Sequence, residues 1–256
     1  MAAASYRRQR ISNPPRVETG GWEAVRERLL AKRICNLGLR IRGSPIEPCL
    51  RQLRRELAAK GLDYAPAFYL TDSWGCPDQV PVIGIPFYLA SAPLERIEKE
   101  QTGGLEDVQT IMQLLRHETG HAINYAFRLW EQARWREVFG SFSKPYRDVF
   151  YPNPWSRRFV RHICSHSYRY TYAQKHPDED FAETFAVWLT PRSGWRRKYH
   201  DWPAIEKLRY VDRLMRKICG QQPLCKGGRL VNPVSRLTMP LAEHYHRQAA
   251  RYGRTA

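Results

Sequence analysis

The stretch TGGLEDVQTIMQLLRHETGHAINYA, residues 102–126, decides how the rest of the chain is read. Thr102-Gly103-Gly104 breaks the preceding pattern, and Glu106 and Asp107 put negative charge where a helix N-terminus is positive. Val108, Ile111, Met112, Leu114, Leu115, Ala122, Ile123 and Ala126 then recur at helical spacing, which predicts a long, largely buried helix. Set into it is His117-Glu118-Thr119-Gly120-His121. Two histidines four apart share one helix face, so both imidazoles can grip one zinc ion. Glu118 then falls beside the ion, where its carboxylate can take a proton from zinc-bound water. An apolar helix does not ordinarily accept two histidines and a glutamate unless something pairs them. Glycine in mid-helix costs about 1 kcal/mol relative to alanine, and close approach of another backbone would explain Gly120.

A zinc site of this kind needs a third protein ligand. The residues after His121, Ala122 to Phe127, contain no HxxGxxH continuation, so the metzincin pattern is excluded. A second helix, Glu179 to about Leu189, offers acids instead. Glu179 and Glu183 are four apart and share a face, while Phe181, Phe185, Val187 and Trp188 fill the core side. One glutamate would bind the ion, and the other would hold a ligand histidine through its free N–H. The helix face alone does not order the two. Asp180 faces elsewhere.

His-Glu-x-x-His followed by a Glu-x-Phe-Ala-Glu helix resembles the gluzincin metallopeptidases, especially the branch containing anthrax lethal factor. Residues 117–191 also resemble a bacterial family of zinc-binding metallopeptidases. The resemblance implies an α+β, zincin-like fold: a small mixed sheet, an active-site helix and a mainly helical C-terminal lobe. It implies His117, His121 and Glu179 as metal ligands, Glu118 as catalytic base and Glu183 behind the ligands. Tyr172, seven residues before Glu179, takes the place of a tyrosine that donates to the transition-state oxyanion. Members of the bacterial family can carry an amino-terminal zinc ribbon, and this chain has no CxxC pair to build one. The expected function is a zinc-dependent metallopeptidase with one Zn2+ per chain, Glu118 activating the zinc-bound water against a peptide or protein substrate. The alternative is a non-catalytic basic protein with a structural metal site that binds nucleic acid or another anionic partner.

Composition bounds these readings. The formal charge of +17 invites a nucleic-acid role, but 33 of the 42 basic residues are arginine and they are scattered, so no specific nucleic acid is expected. An apolar content of 43% with 12% aromatics excludes global disorder. Residues 1–17 read as a flexible basic arm without a signal-peptide core, and no apolar run is long enough for a membrane span. The expected location is cytoplasmic, with reduced thiols; Cys219 and Cys225 would bridge only in an oxidising compartment. Residues 18–256 are expected to form one domain, with an N-lobe to about 130 and a C-lobe from about 131.

Elsewhere the pattern predicts helices over Trp22–Ile34 and from Glu47 to Lys60, with a stop at Gly61. Leu39 to Ile41 reads as a short strand, and residues 67–70 and 80–89 as two longer ones. Pro81 and Pro86 make the last an edge strand, either suited to holding an extended peptide by strand addition or simply a protected sheet edge. Residues 131–175 read as irregular, 203–219 as a helix and 240–252 as a final one. His162 and His166, with Cys164 between, form a second histidine pair that lacks an acid. His244 and His246 read as surface residues, and Trp155, Trp188, Trp195 and Trp202 as core or interface.

Overall fold

The computed structural model describes residues 19–147, 149–163 and 171–251. The basic arm, Cys164 and His166 lie outside the described residues. In chain order the main elements are α1 (Thr19–Ala31), α2 (Glu47–Ala59), β1 (Ala67–Thr71), β2 (Val82–Pro86), α3 (Ala92–Thr102), α4 (Val108–Ala126), α5 (Ala133–Phe139), α6 (Pro177–Leu189), α7 (Trp195–Lys198), α8 (Ala204–Ile218) and α9 (Leu241–Arg251). The architecture is helix-rich and mixed, with one small sheet among the described residues. No described helix is long and apolar enough to cross a membrane.

α4 is the axis of the structure. It starts at Asp107, whose carboxylate accepts from the Thr110 N–H at 2.7 Å and satisfies a donor the helix itself leaves open. At its other end the N–H groups of Leu224 and Cys225 donate to the Ala126 carbonyl at 2.8 and 3.0 Å. The break at residues 102–104 has a second role that the sequence pattern did not reveal. Gly103, at φ 77°, closes α3, which buries Leu94 and Ile97.

α2 ends as expected, with Gly61 at φ 77°. Its Glu56 receives a two-pronged ion pair from Arg116 of α4, at 2.7 and 2.8 Å, with both side chains buried. Parallel N–H···O bonds of this kind fix orientation as well as distance.

α6 packs against α4 more extensively than any other element. Its N-cap is His176, whose ring accepts from the Asp178 N–H at 3.2 Å, and Pro177 occupies the first turn, where its missing N–H costs nothing. Every residue of α6 is buried, so it is a central helix rather than an amphipathic one. Phe181 and Phe185 are fully enclosed, contributing roughly 1.5–3 kcal/mol each by removal from water. Asp180 turns away from α4 and pairs with Lys207 of α8 at 2.5 Å. Where α4 and α6 cross, a Cβ on Gly120 would lie 2.7 Å from the Ala182 Cα and 3.0 Å from its carbonyl oxygen. The mid-helix glycine is thus explained by close backbone approach.

β1 and β2 pair in parallel, Ala67 opposite Val82 through Thr71 opposite Pro86. The strand expected over 80–89 is confined to 82–86, and residues 87–90 turn into a 3-10 helix. β2 is an edge of this two-stranded sheet, as the prolines predict, and that edge is covered rather than open. Gly84 exchanges backbone hydrogen bonds with Gly75 on the side away from β1, and β2 is buried throughout. A Cβ at Gly84 would lie 2.6 Å from Thr71 Cγ2 and 3.1 Å from the Gly75 carbonyl oxygen, so glycine leaves room for both neighbours.

Other expectations shift locally. Leu39 to Ile41 is irregular, α1 ends at Ala31 rather than Ile34, and α5 interrupts the segment read as irregular. Trp188 and Trp195 are buried, whereas Trp155 is 84% exposed. His244 packs edge-on against Phe87 at 5.2 Å rather than standing in solvent. Cys219 and Cys225 are free thiols, donating to the carbonyls of Gly61 and Gly227.

Gly120→Ala should destabilise the protein by about 1–3 kcal/mol through overpacking, despite alanine's higher helix propensity. A urea-unfolding midpoint equal to or above that of the wild type would contradict this account of the crossing.

Candidate metal centre

α4 and α6 bring their polar residues to one buried point. His117 and His121 project from successive turns of α4, and their Nε2 atoms lie 3.1 Å apart. Glu179 Oε2 lies 3.0 Å from His117 Nε2 and 3.2 Å from His121 Nε2. All three side chains are buried.

The outer nitrogens fix what the inner ones present. His117 Nδ1 donates to Glu183 Oε1 at 2.8 Å, and His121 Nδ1 donates to Asp178 Oδ2 at 2.8 Å. With the proton held on each Nδ1, a neutral ring turns an unprotonated Nε2 inward. Three lone-pair-bearing atoms then meet at hydrogen-bond distance, and only protons or a cation can reconcile them. Burial disfavours charge on His117, yet hydrogen bonds to Glu179 and Glu183 and the Glu179 charge push its pKa up to about 10. The surroundings therefore demand positive charge at this point.

Zinc fits the donor set. A tetrahedral ion with bonds of about 2.0–2.1 Å has ligand–ligand edges of about 3.3 Å, close to the separations seen. Two imidazole nitrogens and one carboxylate oxygen also suit a borderline-soft divalent ion, and three protein ligands leave a fourth position open. His117, His121 and Glu179 are the group able to hold a metal among the described residues.

Each supporting acid is itself held. Asp178 also accepts from Asn124 Nδ2 at 2.7 Å and from the Tyr125 hydroxyl at 2.6 Å. Burial pushes its carboxyl up, but the His121 charge and the bonds from His121 and Tyr125 outweigh burial and hold it below the usual range. Glu183, fully enclosed, takes a second bond from the Ile163 N–H at 3.0 Å.

The donor atoms open into a cavity of about 600 Å³, walled by Trp74, Gly75, Cys76 and Asp78 on one side and by Phe142, Lys144, Tyr146 and Tyr172 on another. Glu118 lines this cavity and does not join the donor set. Burial raises its proton affinity, opposed by the two histidines and by a backbone N–H from Cys76. The hydroxyl of Tyr172 reaches Glu179 Oε1 at 3.3 Å, and its ring lies 5.7 Å from that of His117. Trp74 is steadied by Glu106, which accepts from its indole N–H at 3.1 Å and from the Tyr88 hydroxyl at 2.9 Å.

The residues singled out from the sequence as His117, Glu118, His121, Tyr172, Glu179 and Glu183 thus lie within one buried neighbourhood. Two members were not anticipated. Asp178 directly precedes Glu179 at the helix start, and nothing in the sequence marks it as a histidine partner. Tyr146 sits in a segment without periodicity, yet its hydroxyl donates to Glu179 Oε1 at 2.5 Å. Of the second histidine pair, His162 Nε2 donates to the Gln113 carbonyl at 3.1 Å, and His166 lies outside the described residues.

Residues 85–194 match the model of a family described as "Putative zinc-binding metallo-peptidase". The matched span runs from β2 past the end of α6, and so contains both helices that form the centre. No curated protein and no solved structure matches the chain.

Asp178→Asn should weaken zinc binding about 10–100-fold, the usual cost of losing a ligand's hydrogen-bond partner. Competition against a chromophoric chelator measures it; wild-type affinity in the variant would contradict the role given to Asp178.

Proposed function

We propose that the protein is a zinc-dependent peptidase that hydrolyses peptide bonds in the cavity above His117, His121 and Glu179. One observation carries the reading: a buried two-histidine, one-carboxylate set opens into a cavity, with a further carboxylate, Glu118, beside it and outside it. The family match over residues 85–194 supports the same chemistry. We assign His117, His121 and Glu179 as ligands of one zinc ion per chain, in the order found in lethal-factor-like gluzincins and on a zincin-like arrangement of helices.

When bound, zinc supplies a Lewis acid that polarises the scissile carbonyl and acidifies the attacking water. Glu118 takes the proton from that water and later delivers it to the leaving amine. Its place beside the donor set but outside it lets the one carboxylate serve both halves of that task. The Tyr172 hydroxyl donates to the oxygen that gains charge as the carbonyl carbon becomes tetrahedral. Glu183 and Asp178 keep the histidines in the tautomer that faces inward. Trp74 and Tyr146 wall the space in which an extended peptide lies.

Glu118→Gln keeps the shape and removes the base. It should lower peptide turnover about 10²–10⁴-fold while zinc content stays at the wild-type level. A peptide library read by mass spectrometry, with elemental analysis of the same samples, provides both readouts. Turnover preserved in Glu118→Gln would overturn the mechanism.

A further inference from the structure

Each inward-facing donor atom belongs to a group whose other polar end is tied back. For the two histidines the ties are Glu183 and Asp178, both on α6. For Glu179 the tie comes from elsewhere in the chain. Its outer oxygen, Oε1, accepts from the Tyr146 hydroxyl at 2.5 Å, the length of a charge-assisted O–H···O⁻ bond, and from Tyr172 at a longer 3.3 Å. We infer that Tyr146 is a positioning residue of the metal centre, holding the outer oxygen of Glu179 so that the inner oxygen faces the two histidines. The inference rests on the zinc-site reading above.

The loop bearing Tyr146 is built to hold it there. Phe142 stacks on Trp130 with ring centroids 5.0 Å apart. His176 fastens the loop to the start of α6. Its Nδ1 accepts from the Asp178 N–H, so Nε2 carries the proton and donates to the Lys144 carbonyl at 2.8 Å. Lys175 Nζ lies 4.3 Å from the centroid of the Tyr146 ring, within cation–π range. Tyr146 itself is 52% exposed, so core packing does not account for it. Its ring stands at the rim while its hydroxyl reaches the buried carboxylate.

The two tyrosines therefore divide the work. Tyr146 fixes the Glu179 carboxylate before substrate arrives, and Tyr172 serves the oxyanion during reaction. Without Tyr146, only the longer Tyr172 bond would hold Glu179 Oε1, and the carboxylate would be freer to turn from the orientation in which Oε2 faces the histidines.

The test compares the full-length wild type with Tyr146→Phe and Tyr172→Phe. Zinc affinity is measured by chelator competition, and the visible spectrum is recorded after cobalt(II) replaces zinc. Tyr146→Phe should bind zinc about 10–100-fold more weakly and show a shifted cobalt spectrum, with an unchanged circular dichroism spectrum. Tyr172→Phe should keep zinc affinity and lose kcat with little change in KM. Wild-type zinc affinity and cobalt bands in Tyr146→Phe would overturn the inference alone. Failure of the wild type to bind zinc would overturn the metal centre, and this inference with it.

Discussion

Three electron-rich atoms, two imidazole nitrogens and one carboxylate oxygen, meet within 3.2 Å of one another at the crossing of α4 and α6. Left to themselves, unprotonated groups would repel, and a buried site offers little water to screen them. The rest of the architecture exists to make that meeting stable. The helices must approach closely, which Gly120 and Ala182 permit by presenting almost no side chain. The crossing and the donor set are thus one feature: spreading the helices by the width of a methyl group would separate the histidines from Glu179.

The second requirement is to bury acids without leaving them unpaired. α6 carries four acids, Asp178, Glu179, Asp180 and Glu183, all enclosed. An uncompensated buried carboxylate costs several kcal/mol, so each needs its own partner. Asp178 has His121, Asn124 and Tyr125; Glu183 has His117 and the Ile163 N–H; Asp180 has Lys207. Glu179 has the two histidines and two tyrosines. The Arg116–Glu56 pair applies the same rule one layer out, locking α4 to α2. These ties spread the site's demands over helices α2, α4, α6 and α8, which is why a helix-rich frame, rather than the two-stranded sheet, positions the chemistry.

Much of this was legible in the sequence because it is written in helical periodicity. Four-residue spacing puts His117 with His121 and Glu179 with Glu183, and an unexplained mid-helix glycine announces a close crossing. What failed to show lacks a period. Asp178 carries no local sign of its bond to a histidine far away in the chain. Tyr146 belongs to a loop whose course depends on Phe142 and His176, contacts that no local pattern encodes. α3 was missed because the strand-like residues before it and the glycine break after it masked a short amphipathic helix. Pro81 and Pro86 marked β2 as an edge strand, which it is, but that Gly75 covers this edge at Gly84 leaves no pattern in composition.

The most direct measurement is X-ray absorption at the zinc edge of the protein loaded with one equivalent of zinc. The account predicts a first shell of nitrogen and oxygen only, near 2.0–2.1 Å, with outer-shell scattering from two imidazoles. A sulfur shell near 2.3 Å, or a shell with a single imidazole or none, would contradict it.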